Sequence, residues 1–195
     1  LVTKELDVDL KAAIDLAAHT LPVKVTPANK AEVLEFIGGR LRAWVEEQDW
    51  PRDVITAVLA EQSANPHRAL KGIEQLSDWV KRANWEPLLD GFARCVRITR
   101  GETERFGVNT ELLTEGEEKH LYSVYADAWS RLQPHDNVDA FLSAFEPMLP
   151  AITDFFNKVM VNVEDEAVRR NRLGLLQAVS AMQRGRADLS HLSGF

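Results

Sequence analysis

Residues 150–163 read PAITDFFNKVMVNV and carry the strongest helical pattern in the chain. The apolar side chains of this stretch recur at intervals of three and four residues, at Ile152, Phe155, Phe156, Val159, Met160 and Val163. This spacing places all six on one face of a helix, as expected for a helix that packs against others. The pattern predicts one uninterrupted helix over residues 150–163.

The same three-to-four-residue period runs through the rest of the chain. No alternation of apolar and polar residues bounded by hairpin turns interrupts it. Thr26-Pro27 and Asn65-Pro66 predict helix starts, because Thr and Asn side chains cap free backbone N–H groups and proline is tolerated in the first turn. We therefore predict an all-α fold, a helical bundle of two packed helical units.

The first two helices have predicted inner faces. The first helix ends before Pro22, and its predicted inner face consists of Leu10, Ile14, Ala17 and Leu21. The second opens at Pro27, and its predicted inner face consists of Val33, Ile37, Leu41, Trp44 and Val45. We expect both faces to be buried against neighbouring helices.

Charge and glycine content divide the chain. Residues 106–150 hold 2 basic and 8 acidic side chains, within a chain of 195 residues whose net charge is −7. Residues 101–119 are polar and contain three glycines, which is typical of a connection or a mobile hairpin. We predict a tail of a preceding domain or linker at 1–25, a first helical unit at 26–100, this acidic connection, and a C-terminal helical unit at 120–195.

Composition excludes several classes of protein. The chain is 45% hydrophobic and 27% charged, which is ordinary for a globular protein. No apolar run approaches the roughly 20 residues that a membrane helix needs, and the start shows no signal-peptide pattern. Since the first residue is Leu1 rather than Met, we expect a fragment of a longer protein. The single cysteine, Cys95, excludes an internal disulfide, fits a reducing compartment and is expected to be a small buried side chain.

Strong catalytic signatures are absent from the sequence. It contains no glycine-rich phosphate loop, no G-x-S-x-G, no H-E-x-x-H and no cysteine cluster. The dipeptide His135-Asp136 could contribute to the metal site of a hydrolase, but the other four histidines show no ligand spacing with it. We favour a turn in which Asp136 caps the following helix, and we expect no metal ligand.

Arginines form two groups on the predicted helices. At 100° per residue, Arg94, Arg97 and Arg100 fall on the side of their helix opposite to its apolar residues. The second group, on the last long helix, consists of Arg169, Arg170 and Arg172. Arginine suits planar contacts with phosphates and base edges, so the two groups could form one patch if their helices are neighbours. The alternative is a solvated face whose arginines pair with nearby acids.

Residues 154–173, DFFNKVMVNVEDEAVRRNRL, resemble the C-terminal signature of the beta subunit of bacterial heterotetrameric glycyl-tRNA synthetase. The usual form of that signature is F-F-D-K-V-M-V-M-x-x-D-x-x-L-R-x-N-R-L. Most positions match, including Arg169, Asn171 and Arg172. The replacements are Asn157 for Asp, Asn162 for Met and Val168 for Leu.

Shorter segments follow the same family in the same order. Residues 41–44 (LRAW) and 53–60 (DVITAVLA) resemble its R-L-R-x-W/Y and D-V-I-x-A-V-L-A segments. Residues 92–98 (FARCVRI) take the place of its K-R-V-x-N-I segment, with Arg97 where Asn is common. The tail, 184–190 (RGRADLS), departs from the common F-L-R-V-A-D-I-S and is more similar to the cyanobacterial and plastid branch. The resemblance therefore covers most of the chain.

The resemblance implies a function. In that family the alpha subunit activates glycine with ATP and Mg²⁺, and the beta subunit binds tRNA. The C-terminal end of the beta subunit is a helical, DALR-like anticodon-binding domain, similar to those of the arginyl and cysteinyl enzymes. This chain would bind glycine tRNA, meet the alpha subunit through the full beta subunit, and hold neither catalytic residues nor a cofactor. We expect it in the cytoplasm of a bacterium, or in a plastid, and not in a membrane.

An anticodon loop is single-stranded, so its bases can be hydrogen-bonded at their edges while Arg and Lys fix the stem by its phosphates. The residues expected to contact tRNA are Arg94, Arg97, Arg100, Lys158, Arg169, Arg170 and Arg172. For Arg169 and Arg172, structural pairing with Glu164 or Glu166 is the alternative. For the whole chain, the alternative function is a helical scaffold or subunit-docking module with no direct RNA contact.

Overall fold

The computed structural model describes all 195 residues and contains nine α-helices and no strand, which confirms the predicted all-α fold. The helices are α1 (Leu10–Thr20), α2 (Pro27–Glu46), α3 (Arg52–Gln62), α4 (Pro66–Trp79), α5 (Trp85–Thr99), α6 (Gly116–Arg131), α7 (Val138–Phe145), α8 (Leu149–Lys158) and α9 (Glu166–Ser180). Short 3-10 segments occur at Val2–Lys4, Thr110–Leu112, Glu146–Met148, Ala181–Gln183 and Leu189–His191.

The helices belong to two compact units. The first unit consists of Leu1–Lys81 together with Gly185–Ser193, and the second of Arg82–Arg184 together with Gly194–Phe195. Both ends of the sequence thus contribute to the first unit. The division predicted from composition, with boundaries after residues 25, 100 and 119, describes changes of charge and glycine content and stays a prediction.

Two helix starts in the first unit confirm the capping predictions. Before α2, the Thr26 hydroxyl accepts a hydrogen bond from the Asn29 backbone N–H, and the Asn29 side chain accepts one from the Thr26 N–H. Before α4, the Asn65 side chain accepts a hydrogen bond from the Arg68 N–H. In both cases proline occupies the first turn, where a backbone N–H would have no intrahelical partner, so its absence costs no hydrogen bond.

The core of the first unit lies between α3 and α4. α3 packs against α4 and also against the 3-10 segment Leu189–His191. Asp188 donates its backbone N–H to the Ala57 carbonyl over 2.8 Å, and the buried Gln62 side chain donates to the Arg186 carbonyl. Leu189 is fully buried. The end of the chain therefore completes the core around α3.

The first two helices are less buried than predicted. No residue of α1 is buried; Leu10 and Ile14 are half-buried, whereas Ala17 and Leu21 are exposed. On α2 the predicted inner face is buried at two positions, Leu41 and Val45. Trp44 and Ile37 are half-buried, and Val33 is exposed. The predicted burial of Val33, Ala17 and Leu21 was wrong: α1 packs mainly against α2, and these three side chains stay exposed.

The second unit is built around a cluster of aromatic rings. Phe92 of α5 meets Phe141 and Phe145 of α7 edge to face, with ring centroids 5.9 and 5.3 Å apart. α5 also packs against α8 and α9, and α6 packs against α8. Cys95 is buried on the inner side of α5, as predicted, and this burial raises the pKa of its thiol to about 12. It is therefore a protonated packing residue at neutral pH.

The helix predicted over 150–163 ends early. α8 stops at Lys158, and the chain continues in extended form, with Val159 and Val161 buried and Met160 72% exposed. Apolar residues at 159, 161 and 163 fit a period of two as well as the helical period, so the pattern alone was ambiguous there. The guanidinium of Arg172 binds the Met160 carbonyl over 2.7 Å, a bond that an uninterrupted helix would have made internally.

The turn before α7 corrects a second prediction. Asn137, not Asp136, caps α7, and its side chain accepts a hydrogen bond from the Ala140 N–H. The Asp136 carboxylate instead accepts from the Gln133 N–H over 2.7 Å and closes the turn. Both side chains are good acceptors for free N–H groups, and the cap falls to the residue directly before the helix.

The acidic segment 101–119 is bonded to α9 within the second unit. The Asn171 side chain accepts a hydrogen bond from the Asn109 N–H over 2.7 Å, and the Gln177 side chain accepts one from the Phe106 N–H over 3.0 Å. A Cβ on Gly174 would lie 3.0 Å from the Gly107 carbonyl oxygen, so the two backbones approach closely. Residues 101–115 of this segment therefore form a strap over α9, and residues 116–119 begin α6.

Candidate functional site

The α5 arginine stripe, which consists of Arg94, Arg97 and Arg100, follows the outer side of α5, as its spacing predicted. Leu88, Leu89, Phe92 and Cys95 point into the core and orient the helix. Arg94 is half-buried, whereas Arg97 and Arg100 are exposed. The stripe thus places guanidinium groups at the surface at intervals of one turn.

Each member of the stripe has different surroundings. The Arg94 guanidinium lies 4.4 Å from the centre of the Phe156 ring. Arg97 lies 5.7 Å from the Phe195 ring and 3.7 Å from the Asp90 carboxylate. Arg100 makes neither a hydrogen bond nor an ion pair and sits at the C-terminal end of α5, where the helix dipole favours a cation. The positive charge is therefore least compensated at Arg100.

Arg169, which is half-buried, and Arg170, which is exposed, have carboxylate partners. Arg169 lies between Glu102 at 2.6 Å and Glu166 at 3.4 Å. Arg170 bonds Glu166 over 2.8 Å and lies 3.8 Å from Glu104. The hydrogen bond from Arg170 holds the pKa of Glu166 below its ordinary value, and the same bond raises the pKa of Arg170. The ion pair between Arg169 and Glu166, which was the predicted alternative to tRNA contact by Arg169, is present.

Arg172 is buried, and its ion pair lies inside the second unit. Its Nε donates to the carboxylate of Glu118, which is also fully buried. The same carboxylate accepts the backbone N–H groups of Thr114 and Glu115 over 2.7 and 2.8 Å. Together with the Arg172 bond to the Met160 carbonyl, this cluster joins the start of α6, the extended segment after α8, and α9. In this structure the Arg172 side chain is not at the surface.

Lys158, the last residue of α8, bonds the Glu117 carboxylate over 2.9 Å. This hydrogen bond is the main cause of a lowered pKa at Glu117 and of a raised pKa at Lys158. Lys158 is exposed and Glu117 is half-buried, so solvent screens the pair and its contribution to stability is small.

The seven predicted residues thus fall into two clusters. The stripe and the Arg169–Arg170 pair lie in one region, because α5 packs on α9 and Glu102, two residues beyond Arg100, binds Arg169. Lys158 and Arg172 form the second cluster, at the acidic start of α6. The sequence analysis missed Arg105, which is exposed and makes neither a hydrogen bond nor an ion pair. No periodic pattern marks it, since it lies in the strap.

No group of three or more His, Cys, Asp and Glu side chains is arranged to hold a metal ion. His135 is exposed, and its neighbour Asp136 is engaged in the turn. None of the nine helices has both the length and the apolar character that crossing a membrane requires.

Comparison with known proteins gives relatives along the whole chain, although no family model matches it. The chain is 30% identical to glycine–tRNA ligase, chloroplastic/mitochondrial 2, of Arabidopsis thaliana, over 100% of this chain and 18% of the relative. It is 35% identical to the glycine–tRNA ligase beta subunit of Myxococcus xanthus, over 94% of this chain and 28% of that subunit. The corresponding values for Colwellia psychrerythraea are 33%, 98% and 29%. The chain spans less than a third of the length of these relatives.

Proposed function

We propose that this chain, a segment of the glycine–tRNA ligase beta subunit, binds glycine tRNA at its anticodon through the α5 arginine stripe. The observation that carries the proposal is the uncompensated charge of Arg100 at the end of a row of surface guanidinium groups. Arginine binds phosphate oxygens with two parallel hydrogen bonds, which gives both affinity and orientation. The stripe is the part of the second unit best suited to that contact.

The aromatic partners of the stripe support the same proposal. Phe156 and Phe195 lie beside Arg94 and Arg97 and limit the positions that these guanidinium groups can take. An arginine that is already ordered loses less conformational entropy when it binds a ligand. Exposed bases of a single-stranded loop can also stack on planar guanidinium and aromatic groups.

The α9 arginines have a supporting role in this proposal. Glu102, Glu104 and Glu166 already compensate the charges of Arg169 and Arg170. A phosphate would have to displace these carboxylates before it could bind either arginine. Contact of Lys158, Arg169, Arg170 or Arg172 with tRNA stays a prediction.

The proposal places catalysis elsewhere in the enzyme. Activation of glycine with ATP and Mg²⁺ would take place on the alpha subunit, and this segment would hold the tRNA for it. The segment itself would contribute no catalytic residue and no cofactor ligand. The enzyme would work in the cytoplasm of a bacterium or in a plastid, in keeping with the bacterial and chloroplastic relatives.

The test is tRNA binding by the 195-residue chain, followed by fluorescence anisotropy at low and moderate salt. We expect glycine tRNA to bind more tightly than a noncognate tRNA, and affinity to fall steeply as salt rises. The double variant Arg97→Ala, Arg100→Ala should reduce the log–log salt slope by about 0.7 to 0.9 for each lost phosphate contact.

The matched control is Arg131→Ala. Arg131 is an exposed arginine on α6 that pairs with Asp127 and lies outside the stripe. Its removal should leave both the affinity and the salt slope unchanged. Equal binding by the double variant and the unsubstituted chain would overturn the role of the stripe.

A helical scaffold without RNA contact is the second candidate function. This function is favoured because five of the seven residues predicted to contact tRNA already have carboxylate partners. Absence of tRNA binding by the chain at either salt concentration would support the scaffold and contradict the proposal.

A further inference from the structure

Exposed apolar side chains are concentrated at one end of the sequence. Nine large hydrophobic residues of the chain are exposed, and seven of them lie within the first 36 residues. These seven are Leu1, Leu6, Leu16, Leu21, Val23, Val33 and Phe36. The remaining 159 residues contribute only Trp129 and Met160. Large apolar side chains that cluster at the surface of a globular protein mark interaction sites.

The N-terminal hairpin, defined here as α1 and the first half of α2, carries the largest exposed groups. Leu16 of α1 is 71% exposed and Phe36 of α2 is 70% exposed. Val33 lies one turn before Phe36 and on the same side of α2, so the two form one patch.

Few contacts hold α1 to the rest of the first unit. The helix buries no residue, and it is joined to its neighbours by the Leu10 N–H bond to the Ala64 carbonyl and the exposed ion pair of Asp15 with Lys30. An 11-residue helix is marginal in water unless packing of an apolar face stabilises it. The hairpin is therefore too little buried to be stable through its own contacts, and we expect a further packing partner.

The similarity to longer proteins indicates where this packing partner lies. The chain matches 18 to 28% of the length of the Arabidopsis and Myxococcus relatives, so most of those polypeptides lies outside the matched segment. We propose that the N-terminal hairpin docks onto a part of the beta subunit that lies outside these 195 residues, with Phe36 and Leu16 as its apolar anchors. Large apolar side chains at the centre of such a contact carry most of its binding energy.

This proposal rests on the family relation and not on tRNA binding, so the two can fail separately. The hairpin belongs to the first unit, whereas the α5 arginine stripe belongs to the second. A variant of the hairpin can therefore change docking without touching a residue proposed to contact tRNA.

Cysteine labelling tests the docking directly. The native Cys95 is fully buried with a pKa of about 12, so it gives almost no background reaction with a maleimide. Phe36→Cys places a thiol in the patch, and Trp129→Cys places a control thiol at an exposed position of α6 in the second unit. Each variant is made in the isolated chain and in a complete beta subunit that contains it, and labelling of the two peptides is followed by mass spectrometry.

The expected result is a difference between the two positions. Both thiols should react at similar rates in the isolated chain. In the complete subunit the thiol at position 36 should react at least about tenfold more slowly, because contact with apolar groups excludes solvent and reagent, while position 129 stays unchanged. Equal rates at position 36 in the two proteins would overturn the proposal. Protection that instead grows with the concentration of the isolated chain would also overturn it, and would identify a second copy as the occupant.

A stability measurement gives an independent check. Phe36→Ser should leave the thermal midpoint of the isolated chain unchanged, since the ring is largely exposed there. The same substitution should lower the midpoint of the complete subunit, and Trp129→Ser should lower neither. A complete subunit that is insensitive to Phe36→Ser would contradict docking at this patch.

Discussion

α5 and α9 pack against each other, and the surroundings of their arginines differ. α9 contains three arginines, whereas α5 contains Arg94 and Arg97 and is followed directly by Arg100. The α5 stripe faces outwards, and Arg100 has no carboxylate partner. On α9 every arginine is paired, and Arg172 is buried with Glu118. Two of the α9 arginines, Arg169 and Arg172, are the ones that match the signature that the sequence resembles. The two matched arginines therefore have structural partners, whereas the stripe is the group that we propose to bind tRNA.

The largest effect is expected from Arg172→Ala. Removal of the guanidinium leaves the buried Glu118 carboxylate without its counter-ion, and breaking a buried pair in this way costs about 3 to 5 kcal/mol. Urea unfolding followed by circular dichroism measures the loss. The double variant Arg172→Met, Glu118→Gln should recover part of it, because no charge stays buried. A loss below about 1 kcal/mol would show that α9 is no more dependent on its arginines than α5.

Gly174→Ala should have the next largest effect. The added methyl group would lie 3.0 and 3.1 Å from the carbonyl oxygens of Gly107 and Phe106, so the strap has to move away from α9. We expect a loss of about 1 to 3 kcal/mol in the free energy of unfolding. Gly39→Ala is the matched control, because no atom lies within 4 Å of the new Cβ and alanine favours a helix by about 1 kcal/mol over glycine. Similar effects at both glycines would contradict close packing of the strap.

The Glu166 carboxylate allows the pairing on α9 to be titrated. Its hydrogen bond with Arg170 lowers its pKa in the folded state. The pair therefore stabilises the fold above the ordinary glutamate pKa, and this contribution is lost as pH falls through the lower folded-state value. Arg170→Ala should move the carboxyl pKa, measured by NMR, back upwards, whereas Arg97→Ala should not move it. An unchanged Glu166 pKa in the Arg170→Ala variant would mean that Arg170, like Arg100, has no carboxylate partner in solution.

The smallest effect on stability is expected for the stripe. Arg100→Ala and Arg97→Ala remove exposed side chains, so the free energy of unfolding should change by less than about 0.5 kcal/mol. Urea unfolding beside the Arg172→Ala variant gives the direct comparison. A loss above about 1 kcal/mol at Arg100 would assign it a structural role and remove the distinction between the two helices.

Local signals were predictable from the sequence. The starts of α2 and α4 follow from Thr26-Pro27 and Asn65-Pro66, because a cap and a proline act within one turn. The outward direction of Arg97 and Arg100 follows from helical geometry alone. Such features depend only on residues a few positions away, so a local sequence pattern is enough to predict them.

Long-range partners were not predictable. Glu118 lies 54 residues before Arg172, and nothing in either neighbourhood marks the pair. The end of α8 depends on the same arginine, which binds the Met160 carbonyl. The strap is polar, and its backbone N–H groups bond Asn171 and Gln177, which lie 62 and 71 residues further along the chain. Apolar and charged periodicity identifies a face of a helix but does not identify what covers it.

The two-part composition of the first unit affects how the protein is made. Residues 185–193 complete the core around α3, but a ribosome synthesises them only after Arg82–Arg184 of the second unit. At a synthesis rate of about 5 to 20 residues per second, residues 185–193 follow α3 and α4 after about 5 to 20 seconds. During that interval the nascent chain has an unfinished apolar surface. The order of synthesis thus makes the first helices to leave the ribosome among the last to reach their final packing.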